Sequence, residues 1–225
     1  MLWNWFTNKP PVGATDKNGK RTLPGVVDYL NQKYGNFEYA KDARALDVAH
    51  EFPRRFNELL ARARSVQPID SVLITGANSG VELDLLTGFK VTALDLSDVA
   101  LTQLGKLHPD VPTFQGDIQD LPFPDKSFDM YISMRSIHAS NLDLARSLEE
   151  SLRVTRSVAI YSISNGYNIE GRLIKGMYDY DSGEIDTELP YRTMEEAVGL
   201  LTARNCVCEV YEVPSEIVIY SKMRG

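Results

Sequence analysis

Cysteine is nearly absent from this chain: its 225 residues include two, Cys206 and Cys208, beside three histidines, His50, His108 and His138. The cysteines alternate within the strand-like run "CVCEVYEV" and so share a face, where a disulfide between strand neighbours would be strained. No histidine has ligand spacing around them, so neither a disulfide scaffold nor a structural metal site is expected. They read as two reduced, packed thiols of a cytoplasmic protein. Long apolar runs are also missing. The opening "MLWNWF" is interrupted by Asn4 and ended by "TNKPP", too short for a secretory leader or a membrane span. Its aromatics are expected to pack on the domain or on a partner subunit, which leaves a homodimer open. Positive charge is in deficit, with 24 Lys and Arg against 31 Asp and Glu and a formal net charge of −7. No dense basic block with interleaved aromatics appears, so no nucleic-acid partner is expected.

What the chain does have is an ordinary globular composition, 43% hydrophobic and 24% charged, enough for one domain with an appended cap. Residues 7–25 are rich in Pro, Gly, Lys and Asn without periodicity and read as a loop or arm. Apolar residues then recur at helical intervals up to residue 68, interrupted at Gly35 and Pro53, which predicts two or three helices. From Ser71 the pattern alternates strand and helix: "SVLIT", "VELDLLT", "KVTALDL", "SDVALTQLGKL", "PTFQGD", "FDMYIS", "NLDLARSLEESLRV", "SVAIYSIS". That alternation predicts an α/β fold with a mostly parallel sheet covered on both faces. Residues 165–192 break the rhythm with Gly, Tyr and acids. The helix "TMEEAVGLLTARN" follows, and two strands around Val213-Pro214 suggest an antiparallel hairpin at the sheet edge. The division expected is 1–68 as arm and helical cap, and 69–225 as the α/β domain with 165–192 as a lid.

The chemistry concentrates in "VLITGANSGVELDLL". A strand runs into a turn at Gly76 and Gly80 and then into an apolar helical segment, an arrangement that brings backbone N–H groups close to a nucleotide-like ligand. Asp95 follows Gly76 by nineteen residues and ends the next strand, where a carboxylate can accept two ribose hydroxyls. A helix cap is the plainer reading of Asp95, and a tight turn without a ligand the plainer reading of the glycines.

Taken alone, "ITGANSG" resembles the loop of the short-chain dehydrogenases. That likeness loses its final glycine to Glu82, and no tyrosine after Gly80 has a lysine four residues on, so the family's proton donor and its helper are missing. The longer segment "FQGDIQDLPFPDKSFDMYISMRSIHAS" resembles the third-to-fourth strand region of small-molecule class I S-adenosylmethionine-dependent methyltransferases. The resemblance spans about residues 70–165. It implies a three-layer Rossmann-like fold of seven strands, the last antiparallel, with S-adenosylmethionine as cofactor and methyl transfer to oxygen or nitrogen of a small molecule. It further implies cofactor contacts from Gly76, Ala77, Asn78, Gly80, Asp95, Leu96, Asp117, Ile118 and Met134, with Asp117 and Ile118 at the adenine. His138 falls where the family often has a histidine. It is the first candidate for a general base, and Tyr167 is the second. Ile74 stands where the family carries an acid and Asn78 where it carries the central glycine, while "VTRS" replaces "LKPGG". The cofactor's ammonium then needs another acceptor, Glu82 or an upstream tyrosine (Tyr34 or Tyr39). Three alternatives stay open: a catalytically silent binding or assembly protein, which Ile74, Asn78 and the apolar "MLWNWF" suggest, an NAD(P) oxidoreductase, and an enzyme that keeps the pocket but uses the cofactor for other chemistry.

Overall fold

The structure is a computed structural model and describes residues 27, 28, 30, 31, 52–78, 80–138, 142–169, 172–179 and 184–224. The opening aromatics Trp3, Trp5 and Phe6, the arm 7–25, and Tyr34 and Tyr39 lie outside the described residues.

Helix α1, Phe52–Val66, buries Phe56, Leu59, Leu60 and Ala63. The spacing 0, 3, 4, 7 draws one stripe on a helix of 3.6 residues per turn. Pro53 sits in its first turn, where the missing N–H costs nothing. The stripe packs on one face of the sheet, against Val72, Ile74, Ile132 and Ile160. Helix α1 is therefore a layer of the α/β sandwich, although it was expected as part of the cap. Of the rest of the expected arm and cap, only residues 27, 28, 30 and 31 are described, and they are helical.

Seven strands form the main sheet: β1 Ser71–Thr75, β2 Lys90–Asp95, β3 Thr113–Gln115, β4 Phe128–Met134, β5 Thr155–Ser164, β10 Cys206–Val213 and β11 Glu216–Met223. Their order is β10-β11-β5-β4-β1-β2-β3. β1 pairs in parallel with β2 and β4, β4 with β5, and β2 with β3. β11 runs antiparallel to both β5 and β10, so it alone opposes the common direction. The expected hairpin forms, closing between Val213 and Glu216. Its register places Cys206 opposite Met223, and both cysteines are free thiols.

Helix α2, Asp98–Leu107, contributes Leu104 to the α1 side. Helices α3, Leu144–Val154, and α4, Leu189–Ala203, cover the other face, where Leu148, Ala197 and Leu201 meet Leu73, Tyr131 and Tyr161. Small serines let α3 lie close to the sheet. Ser151 is fully buried and its hydroxyl lies 2.6 Å from the Tyr161 phenol. Ser97 caps α2 by accepting the Ala100 N–H, and Asp143 caps α3 by accepting that of Arg146, each satisfying a donor that a helix start leaves open.

Three local expectations differ. "VELDLLT" forms a 3-10 turn, Val81–Leu86, where an α-helix was expected. Gly88, in left-handed backbone at φ 82, turns the chain into β2 after those six residues, too few to build a full α-helix. "VTRS" is no connector, because α3 passes directly into β5 at Thr155. The segment 165–192 holds two small hairpins, β6 Gly166–Ile169 with β7 Arg172–Lys175 and β8 Met177–Asp179 with β9 Glu184–Asp186. No helix among the described residues is long and apolar enough to cross a membrane.

Candidate active site

The carboxyl ends of β1, β2, β4 and β5 meet at one end of the sheet, where open α/β sheets bind ligands. β1 delivers the glycine loop there. Gly76 and Gly80 have φ of 62 and 81, and Asn78, in the place of a glycine, has φ 51. Asparagine tolerates this left-handed backbone better than most residues, so the loop keeps its path. Gly76 is needed for space as well. A Cβ there would lie 2.3 Å from Ser136 Oγ and 3.3 Å from the Met134 carbonyl. The loop is thus pressed against the turn that follows β4. The element after Gly80 is a six-residue 3-10 turn, so the loop does not lead into an α-helix N-terminus.

Asp95 ties the loop to β2. Its carboxylate accepts the Asn78 N–H at 2.8 Å through one oxygen and the Ser97 N–H at 2.9 Å through the other. It is 6% exposed. These bonds orient the group, and a carboxylate offers about four acceptor positions in all. The cap interpretation of Asp95 holds in part, since Ser97 begins α2, but the bond to Asn78 joins the acid to the loop. Ser97 also donates to Asn31 Oδ1 at 2.6 Å, which brings the helical residue Asn31 to the end of β2.

Asp117 and Ile118 follow β3. Ile118 is buried, and Asp117 accepts from the Gln119 backbone N–H at 2.9 Å and from the Gln119 side chain at 3.2 Å. The Gly116 N–H bonds the Asp95 carbonyl at 3.0 Å, so this turn is fastened beside the acid of β2. Leu96 receives the Gln115 amide on its carbonyl. Ala77 and Met134 are buried in the apolar cluster on the α1 side. His138 lies half-buried in the turn after β4. Tyr167 is on β6, opposite Ile174, and its side chain lies outside the described residues.

Polar groups missed in the sequence reading line the ends of β4 and β5. Arg135 follows β4 directly and ion-pairs with Glu82, which is buried on the 3-10 turn, and with Glu216 at 3.2 Å, buried at the start of β11. Arg135 is itself left-handed, φ 49, and its N–H bonds Ser162 Oγ and the Ser162 carbonyl at 3.1 Å each. A charged residue directly after a buried strand, and a glutamate opening the apolar run "EIVIY", are the signals that could have pointed to them. Ile74 is fully buried among apolar neighbours. Thr75 Oγ1 lies 2.7 Å from the Tyr131 phenol. Burial pushes that phenol up to about 12, against the lowering effect of the Thr75 and Ser133 hydroxyls, so it stays protonated at neutral pH. Among the described residues no group of three or more His, Cys, Asp or Glu is placed to hold a metal ion.

A parallel α/β sheet with one antiparallel strand, β11, between β5 and the edge, and a left-handed glycine loop bonded to an acid at the end of β2, is an arrangement of the class I methyltransferase kind of fold. The dinucleotide-binding sheet, with strand order 3-2-1-4-5-6, has no such strand. A family profile described as a methyltransferase domain matches residues 73–163. Over 121 residues the chain is 27% identical to a probable S-adenosylmethionine-dependent methyltransferase of Mycobacterium tuberculosis strain H37Rv, covering 53% of this chain and 44% of that protein. The chain thus spans less than half the length of the curated relatives it matches. Among solved structures it is similar to a Clostridium acetobutylicum S-adenosylmethionine-dependent methyltransferase, with 14% identity, TM-score 0.57, and 76% of this chain and 92% of that one covered. It is also similar to a Haloferax volcanii methyltransferase in complex with the Trm112 methyltransferase activator, with 16% identity, TM-score 0.55, and 84% and 97% covered. Both structural likenesses concern the fold. The match over residues 73–163, these relatives and the shared fold together support a class I S-adenosylmethionine-dependent methyltransferase family for the α/β domain, with S-adenosylmethionine as the cofactor.

Proposed function

We propose that the protein transfers a methyl group from S-adenosylmethionine to oxygen or nitrogen of a small-molecule acceptor, as a cytoplasmic enzyme. The observation that carries this reading is the bond from the loop, at Asn78, to the buried carboxylate of Asp95. It puts an acceptor for ribose hydroxyls beside left-handed backbone that can approach an adenosine closely. In this reading Gly76, Ala77, Asn78 and Gly80 form the cradle, and Asp95 and Leu96 flank the ribose. Asp117 and Ile118 hold the adenine, and Met134 lies beneath the loop. The residues fit the cofactor at the adenosine end, and Ile74 removes the familiar acid at the other.

The bound cofactor would supply an electrophilic methyl on a sulfonium. The chain's part is to align the acceptor in line with that methyl and to exclude water, which accounts for most of what such a displacement needs. A base is required only for an acceptor that arrives protonated. His138, in the turn after β4, is the first candidate for that role, and Tyr167 on β6 is the second. The hairpins β6–β7 and β8–β9 in 165–192, and the residues before 52, would close over the strand ends.

Incubation with methyl-labelled S-adenosylmethionine and a cell extract separated by size tests the acceptor class. Label is expected in the low-molecular-weight fraction. Label confined to protein or nucleic acid would overturn the small-molecule reading.

A further inference from the structure

One side chain joins the turn after β3 to the neighbouring helix. Gln119 Nε2 lies 3.2 Å from each carboxylate oxygen of Asp117, and Gln119 Oε1 accepts the N–H of Asp143, the N-cap of α3, at 2.7 Å. We propose that Gln119 is a positioning residue for adenine recognition, holding the Asp117 carboxylate so that one oxygen meets the exocyclic 6-amino group. This rests on the methyltransferase reading and on Asp117 standing at the adenine.

The partners fix which way the amide points. A carboxylate only accepts and a backbone N–H only donates, so the amide nitrogen must face Asp117 and the amide oxygen must face Asp143. Asp117 Oδ1 takes the Gln119 backbone N–H at 2.9 Å as well as the amide, while Oδ2 takes the amide alone. Among the described residues these bonds occupy three of the about four acceptor positions of a carboxylate, and the fourth lies on Oδ2. A 6-amino donor suits that position. A 6-oxo group would set lone pairs against lone pairs.

The path of the chain does not depend on this amide. The Asp120 N–H closes the turn on the Asp117 carbonyl at 3.1 Å, and Ile118 is buried in the same cluster as Leu148 of α3. Other bonds fasten the backbone to α3. Arg146 Nε donates to the Gln119 carbonyl at 2.8 Å, Glu150 accepts the Leu121 N–H at 2.8 Å, and Arg153 donates to the Leu121 and Phe123 carbonyls at 3.0 and 2.7 Å. Positions 146, 150 and 153 lie on one face of the helix. What the amide adds is the orientation of a half-buried carboxylate. The terminal torsion of an unrestrained aspartate is broad, so fixing it beforehand lowers the ordering cost of binding.

Calorimetric titration of the intact chain with S-adenosylhomocysteine and with its 6-oxo analogue, S-inosylhomocysteine, tests the proposal. The unmodified protein should bind the 6-amino nucleoside at least about tenfold more tightly, as a hydrogen bond to a charged group implies. Gln119→Met, of similar length but with neither donor nor acceptor, should bring that ratio to within about threefold of unity. Gln119→Lys, which returns a donor to Asp117, should restore it to about tenfold. If the methionine variant does not fold, Gln119→Glu, which keeps an acceptor for Asp143 and removes the donor, is expected to show the same loss of preference. A ratio unchanged by loss of the donor, or not restored by lysine, would overturn the proposal, since a structural role alone would affect both nucleosides alike. Equal binding of both nucleosides by the unmodified protein would also overturn it and leave the methyltransferase reading standing. Binding of neither would bring down that reading and this one together.

Discussion

Asp95 holds the Asn78 and Ser97 backbone N–H groups with its two carboxylate oxygens, so its loss is felt by loop and ligand alike. Asp95→Ala is expected to weaken S-adenosylhomocysteine binding about ten- to a hundredfold by calorimetry, and to lower stability by about 1–3 kcal/mol in urea, as buried donors lose their acceptor. Unchanged affinity would remove Asp95 from the site. Gly76 carries two constraints, a left-handed φ and the crowding of Ser136. Gly76→Ala should cost about 2–4 kcal/mol, the sum of a backbone penalty and overpacking. Adding Ser136→Gly should recover the crowding part alone, and a double variant no more stable than Gly76→Ala would contradict the steric account. These residues were legible in the sequence because glycine spacing and an acid at a strand end have few physical explanations. Asn78 was legible too, since its tolerance of positive φ is a property of its side chain. Arg135 and Glu216 were not, because their partners lie 53 and 81 positions away along the chain and only the sheet order brings them together.

Among the elements, β1 and β4 are pinned at their amino ends by Asp129. Its carboxylate accepts from the Asp70 and Ser71 N–H groups and the Ser71 hydroxyl through one oxygen, and from Arg156 through the other. Burial alone would raise the Asp129 carboxyl, but the Ser71 backbone, Arg156, the Ser71 hydroxyl and the Asp70 backbone outweigh it and hold it down at about 2. Because the folded value lies below the unfolded one near 3.9, the group stabilises the fold fully above about pH 4, and that stability is lost as pH falls through 2. It amounts to roughly 2 kcal/mol. Asp129→Asn should lower stability at pH 7 and flatten the acid limb between pH 4 and 2 in urea titrations. An unaltered acid limb would contradict it. Strand and helix periodicity made most elements readable in advance. It misread "VELDLLT", where two apolar pairs in six residues suit an α-turn and a 3-10 turn equally and Gly88 makes the decision. It also left 165–192 unassigned, since strands of three or four residues are too short to show alternation.

For the whole molecule, strand order is the feature that separates the two families sharing a glycine loop. The sequence suggested it through the Val213-Pro214 hairpin, and the sheet places β11 between β5 and β10. We propose an adenosine site at the strand ends, with Ile74 in place of the family's acid at the amino-acid end. The measurement that tests this most directly is thermal unfolding of the intact chain titrated with S-adenosylhomocysteine and, separately, with NADP. S-adenosylhomocysteine at 100 times its dissociation constant should add about 2.7 kcal/mol and raise Tm accordingly, while NADP leaves it unmoved. A flat response to millimolar S-adenosylhomocysteine with a shift from NADP would contradict the account.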